Sequence, residues 1–180
     1  TYFDAVDCFK WQKECEKCPN LKGYPRSLVL DNSKRNFRNK SGLFNSIDNL
    51  TLIAPSKWLA AHLEKSFLSK HTIKVIPNGI DTDAFSPSGS DLLLQKYSIP
   101  EGKIVLGVAS TWDSRKGLKD FVKLRSKLND DLRIVLVGLS TKQIQQLPNN
   151  IIGLTRTDSV KELAELYSFA SVYVNPTYVD

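Results

Sequence analysis

The sequence contains no long hydrophobic run and no methionine. No apolar stretch reaches the roughly 18 residues of a membrane-spanning helix, so we expect no transmembrane segment. No basic N-terminal stretch precedes an apolar one, which argues against a secretory signal peptide. Because methionine is absent and the chain stops on the strand-like run VYVNPTYVD, we expect both ends to be cut from a longer protein. The composition, 41% hydrophobic and 24% charged, is typical of a folded globular protein.

Common catalytic and nucleotide-binding patterns are also missing. The two histidines, His62 and His71, do not combine with a serine and an aspartate into a nucleophilic triad, and we interpret them as core or loop residues. The pattern G-x-G-x-x-G does not occur, and GVASTWDSRKG lacks the spacing of a Walker loop. These absences argue against a conventional dinucleotide-binding or P-loop site.

Positive charge is concentrated in the first part of the chain. Residues 1–80 hold 13 lysines and arginines against 7 acidic residues, whereas residues 81–180 hold 12 of each. Such a basic part suits a phospholipid surface, a pyrophosphate-bearing molecule or nucleic acid, with a solvated face as the alternative. The stretch DNSKRNFRNK (31–40) has one aromatic residue and no nucleic-acid-binding motif. We therefore predict a solvated loop running into a helix, and no nucleic-acid partner.

Apolar runs alternate with helical patterns from Leu50 onward, which predicts an α/β fold of parallel βαβ units. Most predicted strands are continuous Val, Ile and Leu, as expected for strands covered on both faces. The strands are predicted at 50–54, 73–77, 103–109, 132–138, 150–154 and 171–175. A first helix is predicted from the capping residue Ser56 to about Phe67. A second is predicted over Leu118–Leu128, where Arg125 is the one polar residue in the apolar stripe. A third is predicted to begin at a capping box formed by Ser159 and Glu162.

The stretch PNGIDTDAFSPSGSD (77–91) interrupts this alternation. It contains two prolines, two glycines and many turn-forming residues, and the charge balance changes beside it. Such a composition is typical of a linker, so we predict a domain boundary near residues 79–90.

The segment STWDSRKGLKDF (110–121) places two cations in front of a predicted helix. A helix N-terminus already favours anions, so Arg115 and Lys116 make the local potential strongly positive. A strand, loop and helix at the carboxyl edge of a parallel sheet is also where α/β proteins bind ligands. We interpret the pair as a phosphate or diphosphate site. The arginine would donate two parallel hydrogen bonds to phosphate oxygens, and the lysine would add a compact positive charge. An exposed basic turn pointing into water is the alternative.

Three cysteines, Cys8, Cys15 and Cys18, form the pattern C-x6-C-x2-C. The C-x2-C pair can supply two thiolates to one metal ion, and a reducing compartment favours metal over a disulfide. Structural zinc, ordinary thiols or a disulfide, and a redox or iron–sulfur role all stay open. A fourth zinc ligand would have to come from elsewhere.

Several segments in order resemble the family 4 glycosyltransferases, and more narrowly the bacterial capsule and exopolysaccharide (colanic-acid-type) members. These segments are VIPNGIDTDAFSP, RKG, IVLVG and LAELYSFASVYVNPT, with a strand before RKG. The resemblance implies the GT-B architecture of two Rossmann-like domains. It assigns 1–80 to the end of the acceptor-side domain, with a Cys-rich loop at 8–18. It assigns residues 81–102 to a linker and the helix that enters the second domain. Residues 103–180 are assigned to the first half of that domain, which binds the nucleotide-sugar.

The same resemblance implies a retaining glycosyltransferase that needs no cofactor for catalysis. Arg115 and Lys116 match the family's basic pair that holds the donor diphosphate, and Thr155 and Arg156 match a weaker donor contact. Many members carry glycine–arginine shortly after the first strand of this domain, where this chain has Ala109 and Ser110. Ser110 or Thr111 would offer the donor hydroxyl or amide contacts instead. The family's E-x7-E segment would follow Asp180, so we expect this piece alone to be inactive.

The implied donor is a nucleotide-diphosphate sugar, and the implied acceptor is a lipid-linked saccharide. The resemblance also implies a cytoplasmic protein in peripheral contact with the inner face of the membrane. A non-catalytic nucleotide-binding or zinc-bearing interaction module is the alternative.

Overall fold

The computed structural model describes residues 8–19, 21, 27, 30–113 and 115–178. The chain divides into two compact units, residues 1–79 and 80–180, which we call unit 1 and unit 2. Within the described ranges, every helix is too short or too polar to span a lipid bilayer.

Unit 1 contains one parallel βαβ element preceded by a helix. Its elements are a 3₁₀ turn at Lys10–Gln12, α1 (Ser33–Asn45), β1 (Thr51–Ala54), α2 (Lys57–Leu63) and β2 (Thr72–Val75). The two strands pair in parallel from Thr51 opposite Thr72. Ser56 caps α2 as predicted, since its side chain accepts a hydrogen bond from the backbone N–H of Leu59.

The structure differs from two predictions in unit 1. Helix α2 ends at Leu63 rather than near Phe67, because Ser66 donates a hydrogen bond to the Leu63 carbonyl and a turn follows. Residues 31–40 were predicted as a solvated loop running into a helix, but the helix α1 already begins at Ser33 and includes most of the stretch. Residues outside α1 stabilise this helix, since Phe37 packs edge-on against Phe67 and Arg38 forms an ion pair with Glu14.

Unit 2 is a four-stranded parallel sheet in the order β5-β4-β3-β6. Its elements are α3 (Asp91–Lys96), β3 (Lys103–Val108), α4 (Leu118–Arg125), β4 (Leu132–Val137), α5 (Thr141–Gln145), β5 (Ile151–Leu154), α6 (Val160–Phe169) and β6 (Ala170–Tyr173). The strict alternation of strands and helices confirms the predicted α/β fold class.

The strands β3 and β4 bury side chains on both faces of this sheet. Ile104 and Leu106 belong to a core cluster with Leu166 of α6. Val105, which points the other way, belongs to a second cluster with Phe121 of α4. Helices therefore cover both faces of β3 and β4, as predicted for continuous apolar strands. The prediction is wrong for β1, β2 and β6, where Ile53, Val75 and Val172 are exposed.

Arg125, the residue out of pattern on α4, is buried at 6% relative exposure. Its guanidinium donates to the backbone carbonyls of Leu128, Asn129 and Leu132 and to the carboxylate of Asp130. These are the carbonyls of the turn between α4 and β4. The buried arginine therefore provides hydrogen-bond donors for these carbonyls, which an apolar side chain at this position could not do.

The capping box predicted for α6 forms only in part. The Ser159 hydroxyl accepts the N–H of Glu162, but the Glu162 carboxylate accepts hydrogen bonds from Lys96, Tyr97 and the backbone N–H of Asp158 instead. A reciprocal box occurs at α5, between Ser140 and Gln143. The Glu162 carboxylate thus ties α3 to α6.

The Glu162 contacts predict an acid-sensitive stability for unit 2. Hydrogen bonds from Lys96 and Tyr97 lower the pKa of Glu162 from 4.5 to about 2. A depressed pKa stabilises the fold above 4.5, and this stabilisation is lost as the pH falls from 4.5 towards 2. We expect the free energy of unfolding, measured by urea titration, to fall over this range. Glu162→Gln should flatten that dependence, whereas Glu165→Gln on the same helix should retain it.

Candidate functional site

The order of the strands in unit 2 reverses at β3, and in open α/β sheets a crevice forms at the carboxyl edge at such a point. The chain leaves β3 for β4 on one side, continues to β5, and then returns to β6 on the other side of β3. Loops that follow two such strands diverge, and open α/β sheets bind ligands at this point. The loop after β3 covers 109–117, and the segment after β6 covers 174–178.

Trp112 anchors the loop after β3. Its ring is buried at 5% relative exposure and packs edge-on against Phe121 of α4, with 5.5 Å between the ring centroids. Its indole N–H donates to the carbonyl of Val137 at 2.9 Å, and Gln143 donates to the Trp112 carbonyl at 2.6 Å. The loop is thus fixed to β4, α4 and α5. Sequence analysis did not identify this anchor.

The ends of the three strands on this side are tied together by backbone contacts. Ala109 donates its N–H to the Val137 carbonyl, and Gly138 donates its N–H to the Leu154 carbonyl. Gly138 has a φ of +100°, and a Cβ added there would overlap the carbonyl oxygen of Ala109. Glycine is therefore required for β3 and β4 to end so close together.

Arg115 lies at the tip of this loop and is held by Asp113. The backbone N–H of Arg115 donates to Asp113 Oδ1 at 2.8 Å, and its Nε and Nη2 donate to Asp113 Oδ2 at 3.0 and 2.7 Å. Because Arg115 donates these bonds, the pKa of Asp113 is lowered. The carboxylate is therefore ionised at neutral pH and offsets one of the two cations.

Lys116 and Gly117 contact the segment after β6. Lys116 Nζ lies 3.4 Å from the Thr177 hydroxyl, and Tyr178 donates its backbone N–H to the Arg115 carbonyl at 2.9 Å. Gly117 caps α4 with a φ of +71°, and a Cβ there would lie 2.7 Å from the Pro176 carbonyl oxygen. The loop that carries the basic pair is thus joined to the segment after β6, while the Arg115 side chain keeps 54% of its surface exposed.

The weaker predicted donor contacts lie at the same edge of the sheet. Ser110 and Thr111 are exposed directly after β3, and Thr155 and Arg156 are exposed directly after β5. Since β4 lies between β3 and β5, the two pairs are separated by about 10 Å of sheet. The topology places all four at one edge, and their roles in ligand binding stay predictions.

The three cysteines of unit 1 are partly buried free thiols. Burial, together with the charges of Cys8 and Cys18, raises the pKa of Cys15, which lines an apolar cavity of about 350 Å³. Among the residues that the structure describes, no three His, Cys, Asp or Glu side chains are grouped as a metal site. Zinc at Cys8, Cys15 and Cys18 therefore stays a prediction.

The structure resembles several solved glycosyltransferases. A glycosyltransferase from Rickettsia africae ESF-5 is 22% identical with a TM-score of 0.62, over 77% of this chain and 41% of that one. Sucrose-phosphate synthase from Thermosynechococcus elongatus is 22% identical with a TM-score of 0.64, over 84% and 41%. Anabaena HepE, solved in complex with UDP-glucose, is 21% identical with a TM-score of 0.58, over 79% and 42%.

This likeness confirms an α/β architecture resembling the GT-B glycosyltransferase fold. The chain spans less than half the length of each of these structures. No protein-family model matches the sequence, and no curated protein matches it. Membership of family 4 and a capsule-type role stay predictions.

Proposed function

We propose that this chain is part of a retaining glycosyltransferase that binds a nucleotide-diphosphate sugar at the carboxyl edge of unit 2. One observation carries the proposal. Arg115 and Lys116 lie on the loop that follows β3, where it contacts the segment after β6 and where the order of the strands reverses. A charged ligand in that crevice would meet both cations and the first turn of α4.

In this proposal, Arg115 and Lys116 stabilise the diphosphate as it leaves the donor sugar. The guanidinium offers a planar pair of donors to phosphate oxygens, and the ammonium adds a compact point charge. Once the donor is bound, cations already placed at its diphosphate lower the barrier for separating charge. Arg156, Thr155, Ser110 and Thr111 would contact other parts of the donor, and no catalytic metal is invoked.

The proposed acceptor is a lipid-linked saccharide at the inner face of the cytoplasmic membrane. The basic excess of residues 1–80, 13 cations against 7 acidic residues, supports peripheral contact with an anionic surface. Transfer is proposed for the longer protein, because this chain covers about two fifths of the solved glycosyltransferases it resembles.

Calorimetric titration with UDP, GDP and ADP tests the donor site directly. We expect at least one nucleoside diphosphate to bind, and Arg115→Ala or Lys116→Ala to weaken binding by about 1–3 kcal/mol, the scale of charge-assisted hydrogen bonds. Lys127→Ala is the matched control, because Lys127 is exposed beyond the other end of α4. Unchanged affinity in both variants of the basic pair would refute the diphosphate site.

The second candidate is a non-catalytic interaction module that carries zinc. Its support is the C-x6-C-x2-C spacing of Cys8, Cys15 and Cys18, whose thiols are free and partly buried. Metal analysis of the purified protein together with the nucleotide titration separates the candidates. Stoichiometric zinc without nucleotide affinity would favour the module.

A further inference from the structure

We propose that Asp113 is an internal competitor for the diphosphate, whose carboxylate occupies Arg115 until an incoming anion displaces it. This inference rests on the proposed function and adds a residue that sets the affinity of the same site.

The Asp113 carboxylate accepts the hydrogen bonds that a phosphate would otherwise accept. Its Oδ1 takes the backbone N–H of Arg115, and its Oδ2 takes both Nε and Nη2 of the guanidinium. Both side chains are partly exposed, at 54% for Arg115 and 37% for Asp113. An anion can therefore reach the pair from solvent and exchange with the carboxylate.

The turn itself does not require the second of these contacts. An aspartate or asparagine side chain shapes such a turn through one oxygen that accepts an N–H two residues later. Here Oδ1 performs that role, so the guanidinium contact at Oδ2 is additional. The negative charge of the carboxylate offsets one of the two cations when no ligand is bound. It also opposes a diphosphate that approaches the same guanidinium.

The neighbouring cation is held differently. Lys116 Nζ has a neutral partner, the Thr177 hydroxyl, at the long distance of 3.4 Å. A diphosphate therefore meets an anion at Arg115 and a weakly held hydroxyl at Lys116. Of these two contacts, the one with Asp113 opposes an incoming anion by its charge.

Calorimetric titration with inorganic pyrophosphate tests this inference in the whole chain. Asp113→Asn retains an oxygen for the Arg115 N–H and removes the charge, so we expect it to strengthen binding about tenfold. Glu101→Gln removes one negative charge before β3, at the opposite end of that strand, and should leave affinity unchanged. Thermal unfolding checks that the Asp113→Asn protein is folded. If its unfolding midpoint is lower than that of the wild type, the titration is repeated with Asp113→Ser, whose hydroxyl can form a similar turn.

A double-mutant cycle with Arg115→Ala identifies the cause of the gain. If Asp113 acts by occupying Arg115, Asp113→Asn should change affinity by no more than about twofold once Arg115 is removed. A tenfold gain that persists there would mean general repulsion and would overturn the inference.

The remaining outcomes separate the two proposals. Unchanged or weaker binding in Asp113→Asn, with Arg115→Ala still weakening binding, would make Asp113 a support for the arginine. That result overturns the inference and leaves the donor site intact. Pyrophosphate binding that is insensitive to both Arg115→Ala and Lys116→Ala would overturn both.

Discussion

Gly138→Ala is expected to lower the free energy of unfolding of unit 2 by about 3–5 kcal/mol, at the upper end for single substitutions. Two costs combine at this position. The φ of +100° is strained for any residue with a side chain, and the new Cβ would overlap the Ala109 carbonyl oxygen. Because that oxygen belongs to the backbone, relief requires β3 and β4 to separate at their carboxyl ends.

Urea unfolding followed by tryptophan emission measures this loss. The chain has three tryptophans, and Trp112 is the one in unit 2, so emission can be assigned with Trp11→Phe and Trp58→Phe in the background. Gly42→Ala is the matched control, since nothing lies within 4 Å of a Cβ added there. A Gly138→Ala protein as stable as the wild type would contradict the close approach of the strand ends.

Trp112→Ala should have the second large effect, on stability and binding together. Removing a buried tryptophan leaves a cavity beside Phe121, which costs about 3–5 kcal/mol. It also releases the loop that carries Arg115 from the carbonyl of Val137. We therefore expect weaker binding of nucleoside diphosphate even under conditions where the variant is fully folded.

Trp112→Phe separates packing from hydrogen bonding. Phenylalanine fills much of the space but cannot donate to Val137, whose carbonyl still accepts the N–H of Ala109. The expected cost is about 1 kcal/mol, the usual net value of one hydrogen bond. Chemical unfolding and the nucleotide titration should rank the proteins as wild type, Phe and Ala. Equal affinity in all three would mean that the anchor does not position the basic loop.

The strands and the basic pair could be predicted because their signals are local. Continuous apolar runs identify buried parallel strands, and a strand, loop and helix identify the carboxyl edge where Arg115 and Lys116 lie. That Pro176 and Thr177 lie beside this basic pair could not be predicted. Their position depends on β6 pairing with β3 rather than with β5, and sequence order does not specify that neighbour.

Two other differences arose from partners that are not adjacent in sequence. The polar composition of residues 31–40 favoured a loop, but Glu14 and Phe67 support the helix α1 through contacts with Arg38 and Phe37. Arg125 was predicted to be out of pattern in an apolar stripe, because a periodic pattern considers only whether a residue is polar or apolar. Its donors match carbonyls between α4 and β4, and this match is visible only in three dimensions.

Because β6 pairs with β3 over a long sequence separation, we expect the two sides of the crevice to form at different stages of folding. Lys116 and Thr177, which face each other across it, are 61 residues apart in the chain. Closing a loop of that length costs entropy before its contacts compensate, so local units such as β3–α4–β4 are expected to form earlier. During synthesis, the loop with the basic pair would emerge before the segment after β6, which supplies the opposite side of the crevice. We therefore expect the crevice to be completed only after the β6 segment has left the ribosome.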